Sequence, residues 1–200
     1  MSFREKYSRI ARHYETLERP LDRFFCPLRE RAVSFAKGKT LEVGVGVGKT
    51  LEYYPREVKL CGIDAVQEVL EVARRKAERL DLNACFQRAN IERLPFPSDS
   101  FDTVVSSFVF CTVPEPERGM EEIRRVLKPG GRAIFLEHTK SDSRLINYLF
   151  LLPLKFPLKL LLDDDPLRET HQIIRDYFEI ELEENHYNGI VRLIVARKGE

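Results

Sequence analysis

Tryptophan is absent from this chain, and glutamine occurs three times and histidine four times in 200 residues. The four cysteines, Cys26, Cys61, Cys85 and Cys111, stand singly, with no C-x-x-C pair and no histidine at ligand spacing. That scarcity argues against a zinc site or a thioredoxin-type motif, and reads as reduced, mostly buried thiols in a cytosolic protein without a bound metal. Net charge is nearly absent as well, since 33 Lys and Arg against 32 Asp and Glu leave +1. A general nucleic-acid binder needs a basic excess, so no nucleic-acid partner is expected. The opening M-S-F-R-E-K is charged and has no apolar core, which predicts no signal peptide. What is present is 43% hydrophobic and 32% charged residues, the composition of a soluble domain with a substantial core. Abundant Glu, Lys and Arg beside scarce Gln hint at a thermophilic source.

The most informative stretch is T-L-E-V-G-V-G-V-G-K-T, Thr40 to Thr50. Leu41, Val43 and Val45 make the apolar run of a buried parallel strand, and Gly44, Gly46 and Gly48 strip side chains from the turn after it. A backbone without Cβ atoms can take positive φ and lie against a ligand with its N–H groups turned outward. Open α/β sheets bind ligands at this end of their strands. A triphosphate loop reads G-x-x-x-x-G-K-[ST]. Counting back from Gly48, its first glycine would fall on Val43, so Lys49 and Thr50 are not expected to hold a triphosphate. A dinucleotide fingerprint, G-x-G-x-x-G, would need glycine where Lys49 stands. The alternating pattern E-x-G-x-G-x-G fits Glu42, Gly44, Gly46 and Gly48 without a gap.

Lys59 to Asp64 (K-L-C-G-I-D) reads as a second strand ending in a carboxylate that can accept ribose hydroxyls, with Ala65 beside it. Val66, Val69, Leu70, Ala73, Ala77 and Leu80 mark an amphipathic helix. Ala84 to Ala89 reads as a third strand, and Phe101 to Phe110 as a fourth, central one. Pro114 and Pro116 open a helix with Glu115 and Glu117 in its first turn. It stops at L-K-P-G-G, before a fifth strand from Arg132 to His138. Phe178, Ile180 and Leu182 alternate as a strand, and Asn188-Gly189 gives a hairpin turn before Ile190 to Ala196. At the other end, Phe3, Tyr7, Ile10, Tyr14 and Leu17 share one helical face. A second helical stretch, Leu21 to Phe35, is expected to break or kink near Pro27.

With E-V-G-V-G-V-G, G-I-D and L-K-P-G-G in this order, the chain resembles the class I S-adenosylmethionine (SAM) methyltransferases of the methyltransferase-11 type. It looks similar to phospholipid N-methyltransferases and membrane-associated thiol methyltransferase-like proteins, and more distantly to ubiquinone/menaquinone C-methyltransferases. The resemblance implies an α/β, Rossmann-like three-layer sandwich, its seven-stranded sheet ordered 3-2-1-4-5-7-6 with an antiparallel last strand. It implies SAM as cofactor and S-adenosylhomocysteine as product. The implied cofactor contacts are Glu42 and the three glycines, Asp64 and Ala65 at the ribose, Asn90 and Ile91 at adenine, and Ser106 and Ser107 at the methionine end. Tyr7 or Tyr14 would reach over the pocket from an N-terminal lid. The family's acidic residue at the adenine is Asn90 here, whose amide oxygen can still accept a hydrogen bond. One domain is expected, made of a lid (1–38), a SAM-binding core (39–140), an apolar insert (141–170) and a terminal helix end and hairpin (171–200).

That insert, Leu145 to Leu162, reads L-I-N-Y-L-F-L-L-P-L-K-F-P-L-K-L-L-L. Pro153, Pro157, Lys155 and Lys159 argue against a membrane span. It reads either as the wall of a substrate pocket or as an interfacial element. Both favour a small hydrophobic or lipid-like acceptor: a phospholipid amine, a thiol or a quinol. The protein would then be cytoplasmic or peripheral on the inner face of a membrane. Methyl transfer needs nucleophile, methyl and sulfur held in line in a dry site. His138, at the end of the fifth strand, is the first candidate for a base or orienting group, with Glu137 beside it. A catalytically silent SAM-binding partner protein and an NAD-dependent oxidoreductase are the alternatives.

Overall fold

The structure is a computed structural model that describes residues 24–156 and 165–199. The expected lid residues Tyr7 and Tyr14, and the end of the apolar insert (157–162), lie outside the described residues. Strands are β1 (Lys39–Val43), β2 (Lys59–Asp64), β3 (Ala84–Arg88), β4 (Phe101–Ser107), β5 (Leu127–His138), β6 (Glu179–His186) and β7 (Val191–Arg197). They form one sheet in the order β3-β2-β1-β4-β5-β7-β6. β1 pairs in parallel with β2 and β4, β2 with β3, and β4 with β5, whereas β7 is antiparallel to β5 and β6.

Parallel neighbours need crossover connections, and helices on both faces supply them. α1 (residues 24–33) and α2 (Gln67–Arg79) cover one face, where Leu28, Ala32, Leu70, Ala73, Val105 and Leu136 share a core cluster. α3 (Pro116–Val126) and α5 (Thr170–Tyr177) cover the other, with Met120, Ile123, Ile174 and Phe135 in a second cluster. Strand alternation assigns Leu41 and Val43 to the α3 side and turns Glu42 towards α1 and α2. The Gly48 turn leads into a short 3-10 segment, Leu51–Tyr53, rather than a full crossover helix.

After His138 the chain leaves the sheet. Ser143 caps a helix, α4, that opens as Arg144–Ile146, passes through a π-helical Asn147–Leu151 and continues over residues 152–156. Asn147 Oδ1 accepts the Ser141 N–H at 3.0 Å, and its Nδ2 donates to the Ser141 carbonyl at 2.8 Å, which fixes this helix to the end of β5.

Four local readings are corrected. The fourth strand ends at Ser107, not Phe110, because Phe108 turns the chain with φ of 58°. Helix α1 runs through Pro27 without a break. The K-P-G-G turn belongs to β5, where the register with β4 shifts between Phe101 and Thr103 and Gly130 takes φ of 69°. Finally, Cys61 and Cys85 are not reduced thiols but a disulfide joining β2 to β3, with Cys26 and Cys111 left free. Among the described residues no group of His, Cys, Asp or Glu could hold a metal, and no helix is long and apolar enough to cross a membrane.

Candidate cofactor and acceptor site

Three glycines follow β1, all with positive φ, but they do different work. A Cβ on Gly44 would lie 2.5 Å from Val109, and one on Gly48 would lie 2.5 Å from Leu51. Those two glycines are needed for close packing of the turn against its own protein. A Cβ on Gly46 would meet nothing within 4 Å. The open face of the turn is therefore at Gly46, where backbone can approach a ligand.

Two carboxylates flank that opening. Asp64, ending β2, accepts the Gly46 N–H at 3.0 Å through Oδ2 and the Val66 N–H at 2.9 Å through Oδ1. Burial raises its pKa, and the N–H groups of Val66, Gly46 and Ala65 oppose the rise. Each oxygen keeps a further lone pair, so the side chain can brace the glycine turn and still accept hydroxyls. Glu42 is buried on the α1–α2 side and accepts from Thr50 Oγ1 at 2.6 Å. Its Oε2 makes no hydrogen bond by distance and angle, although the buried Tyr54 hydroxyl beside it acts on the carboxyl as a donor. Desolvation pushes the Glu42 carboxyl up to about 7 against the opposing effects of Thr50, Tyr54, Arg29 and Lys76.

On the far side of β2, Asn90 Oδ1 accepts the Glu92 N–H at 3.1 Å and its Nδ2 donates to Glu92 Oε2 at 2.9 Å. That pair fixes the amide orientation and leaves a lone pair on Oδ1. The Ile91 side chain is buried in the α3-side core.

The ends of β4 and β5 carry the rest. Ser106 Oγ donates to Glu137 Oε1 at 2.6 Å, while the N–H groups of Val109 and Phe110 donate to Oε2 at 3.0 and 3.1 Å. Glu137 is therefore the buried clamp of the turn after β4, and Ser106 is spent on holding it. Ser107 differs, since its buried hydroxyl lacks a partner. The His138 ring lies 4.6 Å from Phe108, tilted by 41°, and meets Phe25 edge-on at 5.9 Å. Arg29, from the same helix as Phe25, lies over both rings at 5.8 Å (Phe25) and 5.5 Å (Phe108).

The insert is tied to this edge at both ends. Arg192 of β7 is bonded to Asp142, Thr139, Glu183 and Asn185. Arg168 donates to the carbonyls of Phe110 and Val113, and the Asp165 N–H to that of Cys111. Between these anchors α4 buries Leu151 and exposes Leu145, Tyr148, Leu149, Leu152, Leu154 and Phe156. Spacing places all of these but Leu154 along one helical face.

Sequence reasoning missed Arg29, Tyr54, Phe25 and the Glu137 clamp. Arg29 left a signal: it sits among Leu28, Ala32, Val33 and Ala36, a buried apolar stripe. An arginine there must have a partner. The clamp left none, because it joins two strands and a turn.

Against known proteins, a family model described as a methyltransferase domain matches residues 41–135. The phosphatidylethanolamine N-methyltransferase of Cereibacter sphaeroides is 40% identical over 108 residues, 53% of this chain and 53% of that protein. The ubiquinone/menaquinone biosynthesis C-methyltransferase UbiE of Geotalea daltonii is 32% identical over 161 residues, 73% of this chain and 67% of that one. The chain thus spans about half the length of the first relative. A solved SAM-dependent methyltransferase of Thermotoga maritima superposes with a TM-score of 0.74 at 22% identity, covering 97% of this chain and 99% of that one.

Proposed function

The chain belongs to the methyltransferase-domain family, whose cofactor is SAM, and on that premise we propose that it methylates a small hydrophobic or lipid-like acceptor: a phospholipid amine, a thiol or a quinol. The observation that carries this reading is the open Gly46 face between Glu42 and Asp64. It suits a ligand with ribose hydroxyls at one end and cationic groups at the other, and it offers nothing for a pyrophosphate. SAM supplies a methyl group on a sulfonium, an electrophile that any of these acceptors can attack.

Each residue then has a role. Gly46 leaves room for the cofactor backbone, and Asp64, with Ala65 beside it, takes the ribose hydroxyls. Asn90 and the Ile91 N–H take the adenine edge, and the buried Glu42 carboxylate lies towards the cationic end. Ser107 offers a hydroxyl to the methionine end. Arg29, buried over Phe108, is a cation on that side for a carboxylate. Glu137 positions the turn after β4. His138, half-buried against Phe108 and Phe25, excludes water and accepts the acceptor's proton where one must leave.

The exposed α4 face supports the apolar acceptor. Relatives are named for phosphatidylethanolamine and for quinone biosynthesis, and both are hydrophobic substrates. We place α4 at a membrane surface, its apolar side chains dipping inward and Arg144 turned to lipid phosphates, while Lys155 pairs with Asp165 at 3.1 Å. The test is incubation with methyl-labelled SAM and a panel of phospholipid amines, quinols, long-chain thiols and small polar amines. Label transfer to an apolar acceptor is expected. Transfer confined to small polar acceptors refutes the acceptor class, and failure to bind S-adenosylhomocysteine refutes the methyltransferase reading itself.

A further inference from the structure

The disulfide lies at an edge of the sheet. Among the described residues β3 pairs only with β2. Ala84 and Phe86 pack on the α2-side cluster, whereas Cys85 and Gln87 on the opposite face are exposed. Cys61, its register partner on β2, is buried in the α3-side cluster. The bond therefore has one sulfur-bearing residue open to solvent and the other in the core. It also lies one short step from the cofactor groups. Asp64 follows Cys61 on β2 and is in register with Arg88, and Ala89 donates its N–H to the Asp64 carbonyl at 3.0 Å before the chain reaches Asn90. The residues proposed for ribose and adenine thus hang from two strands that this bond ties together.

We propose that Cys61–Cys85 is a thiol–disulfide exchange site whose state sets the affinity of the adenosine end of the cofactor pocket. Its reaction partner is a dithiol reductant. A reductant thiolate attacks the Cys85 sulfur, forming a mixed disulfide, and the Cys61 sulfur leaves as a thiolate that takes up a proton. The second reductant thiol then closes on the first, releasing Cys85. One disulfide and one dithiol become two cysteines and one reductant disulfide, so atoms and electrons balance. In the oxidised form β3 is pinned to β2, and Asp64 and Asn90 keep their separation. In the reduced form the edge strand is held by backbone hydrogen bonds alone on one side, and its end frays more readily.

The effect on binding rests on the cofactor reading above, so the experiment separates the two. The full chain is alkylated natively, before and after dithiothreitol, and mapped by mass spectrometry with Cys26 and Cys111 as internal references. Protection of Cys61 and Cys85 before reduction and labelling of Cys85 after it are expected. A pair that stays labelled after treatment with oxidised dithiothreitol, or that resists native reduction, overturns the exchange site. S-adenosylhomocysteine is then titrated by calorimetry into oxidised protein, reduced protein and Cys85→Ala. We expect the last two to bind about fivefold more weakly or worse, with faster amide exchange over residues 84–88. Equal affinity in all three overturns the coupling while leaving the cofactor reading intact. No binding in any form overturns the coupling along with the cofactor reading.

Discussion

Glycines 44, 46 and 48 look equivalent in sequence and differ in what surrounds them, so substitutions at each should fail differently. Gly46→Val faces open space. It should abolish S-adenosylhomocysteine binding and lower the melting temperature only by the strain of a side chain at φ of 53°. Gly44→Ala meets Val109 and a positive φ, and should cost about 1–3 kcal/mol of stability in denaturant unfolding. Asp64→Ala should weaken binding by about ten- to a hundredfold, and an unchanged calorimetric affinity would remove it from the pocket. Glu42 adds a pH dependence. Its ordinary pKa is 4.5 and its folded value is about 7, so between these the folded protein holds a proton that the unfolded chain has released. The stability it contributes is full below 4.5 and is lost as pH rises through about 7. A cationic ligand beside it favours the charged form instead. Affinity should therefore fall as pH drops below about 7, with proton release on binding visible as a buffer-dependent enthalpy. Persistence of that dependence in Glu42→Gln would assign it elsewhere.

At the level of elements, α4 shows how an apolar run becomes a surface. Its inner face supplies Leu151 and its bonds to Ser141, and its outer face leaves Phe156 77% exposed. Each such side chain gains about 1.5–3 kcal/mol when fully buried, which makes the stripe a solubility liability unless something apolar meets it. Binding to anionic vesicles should weaken with salt and fall further in the Lys155→Gln, Lys159→Gln double variant. Leu149→Glu should remove vesicle binding and leave S-adenosylhomocysteine affinity unchanged. If no vesicle binding occurs, the stripe is a pocket wall, and Phe156→Ala should then raise KM for an apolar acceptor. Silence in both assays would sink the hydrophobic-acceptor reading of this helix.

Across the whole molecule, Arg192 joins what the sheet keeps apart. Its buried guanidinium is shared by Asp142 before α4, by Thr139 after β5, and by Glu183 and Asn185 on β6. Arg192→Met removes one of two guanidinium partners of Glu183, Arg175 remaining at 2.6 Å, and leaves Asp142 and Asn185 without theirs, so it should cost about 1–3 kcal/mol in chemical denaturation and loosen α4. A loss below about 0.5 kcal/mol would show that the hub is dispensable. None of this was visible as a motif. The strands, the glycine turn, the α2 and α3 helices and the Asn188-Gly189 hairpin were legible because each rests on a local rule, whereas the strand order came from the family resemblance. Period two or 3.6, a proline, or a glycine at positive φ acts within a few residues of chain. Local rules failed at Phe108, where an apolar run continued although the backbone had turned, and at K-P-G-G, where turn residues were absorbed into a bulged strand. By itself the sequence determined the strands and the α2 and α3 helices, and its resemblance to a family gave the sheet order and the cofactor class. Only the tertiary structure decided that Cys61 faces Cys85 across 24 residues of chain, that Glu137 clamps the turn after β4, and that Arg29 lies over Phe108. Those depend on register and on which faces helices cover, and such pairings arise when distant segments pack.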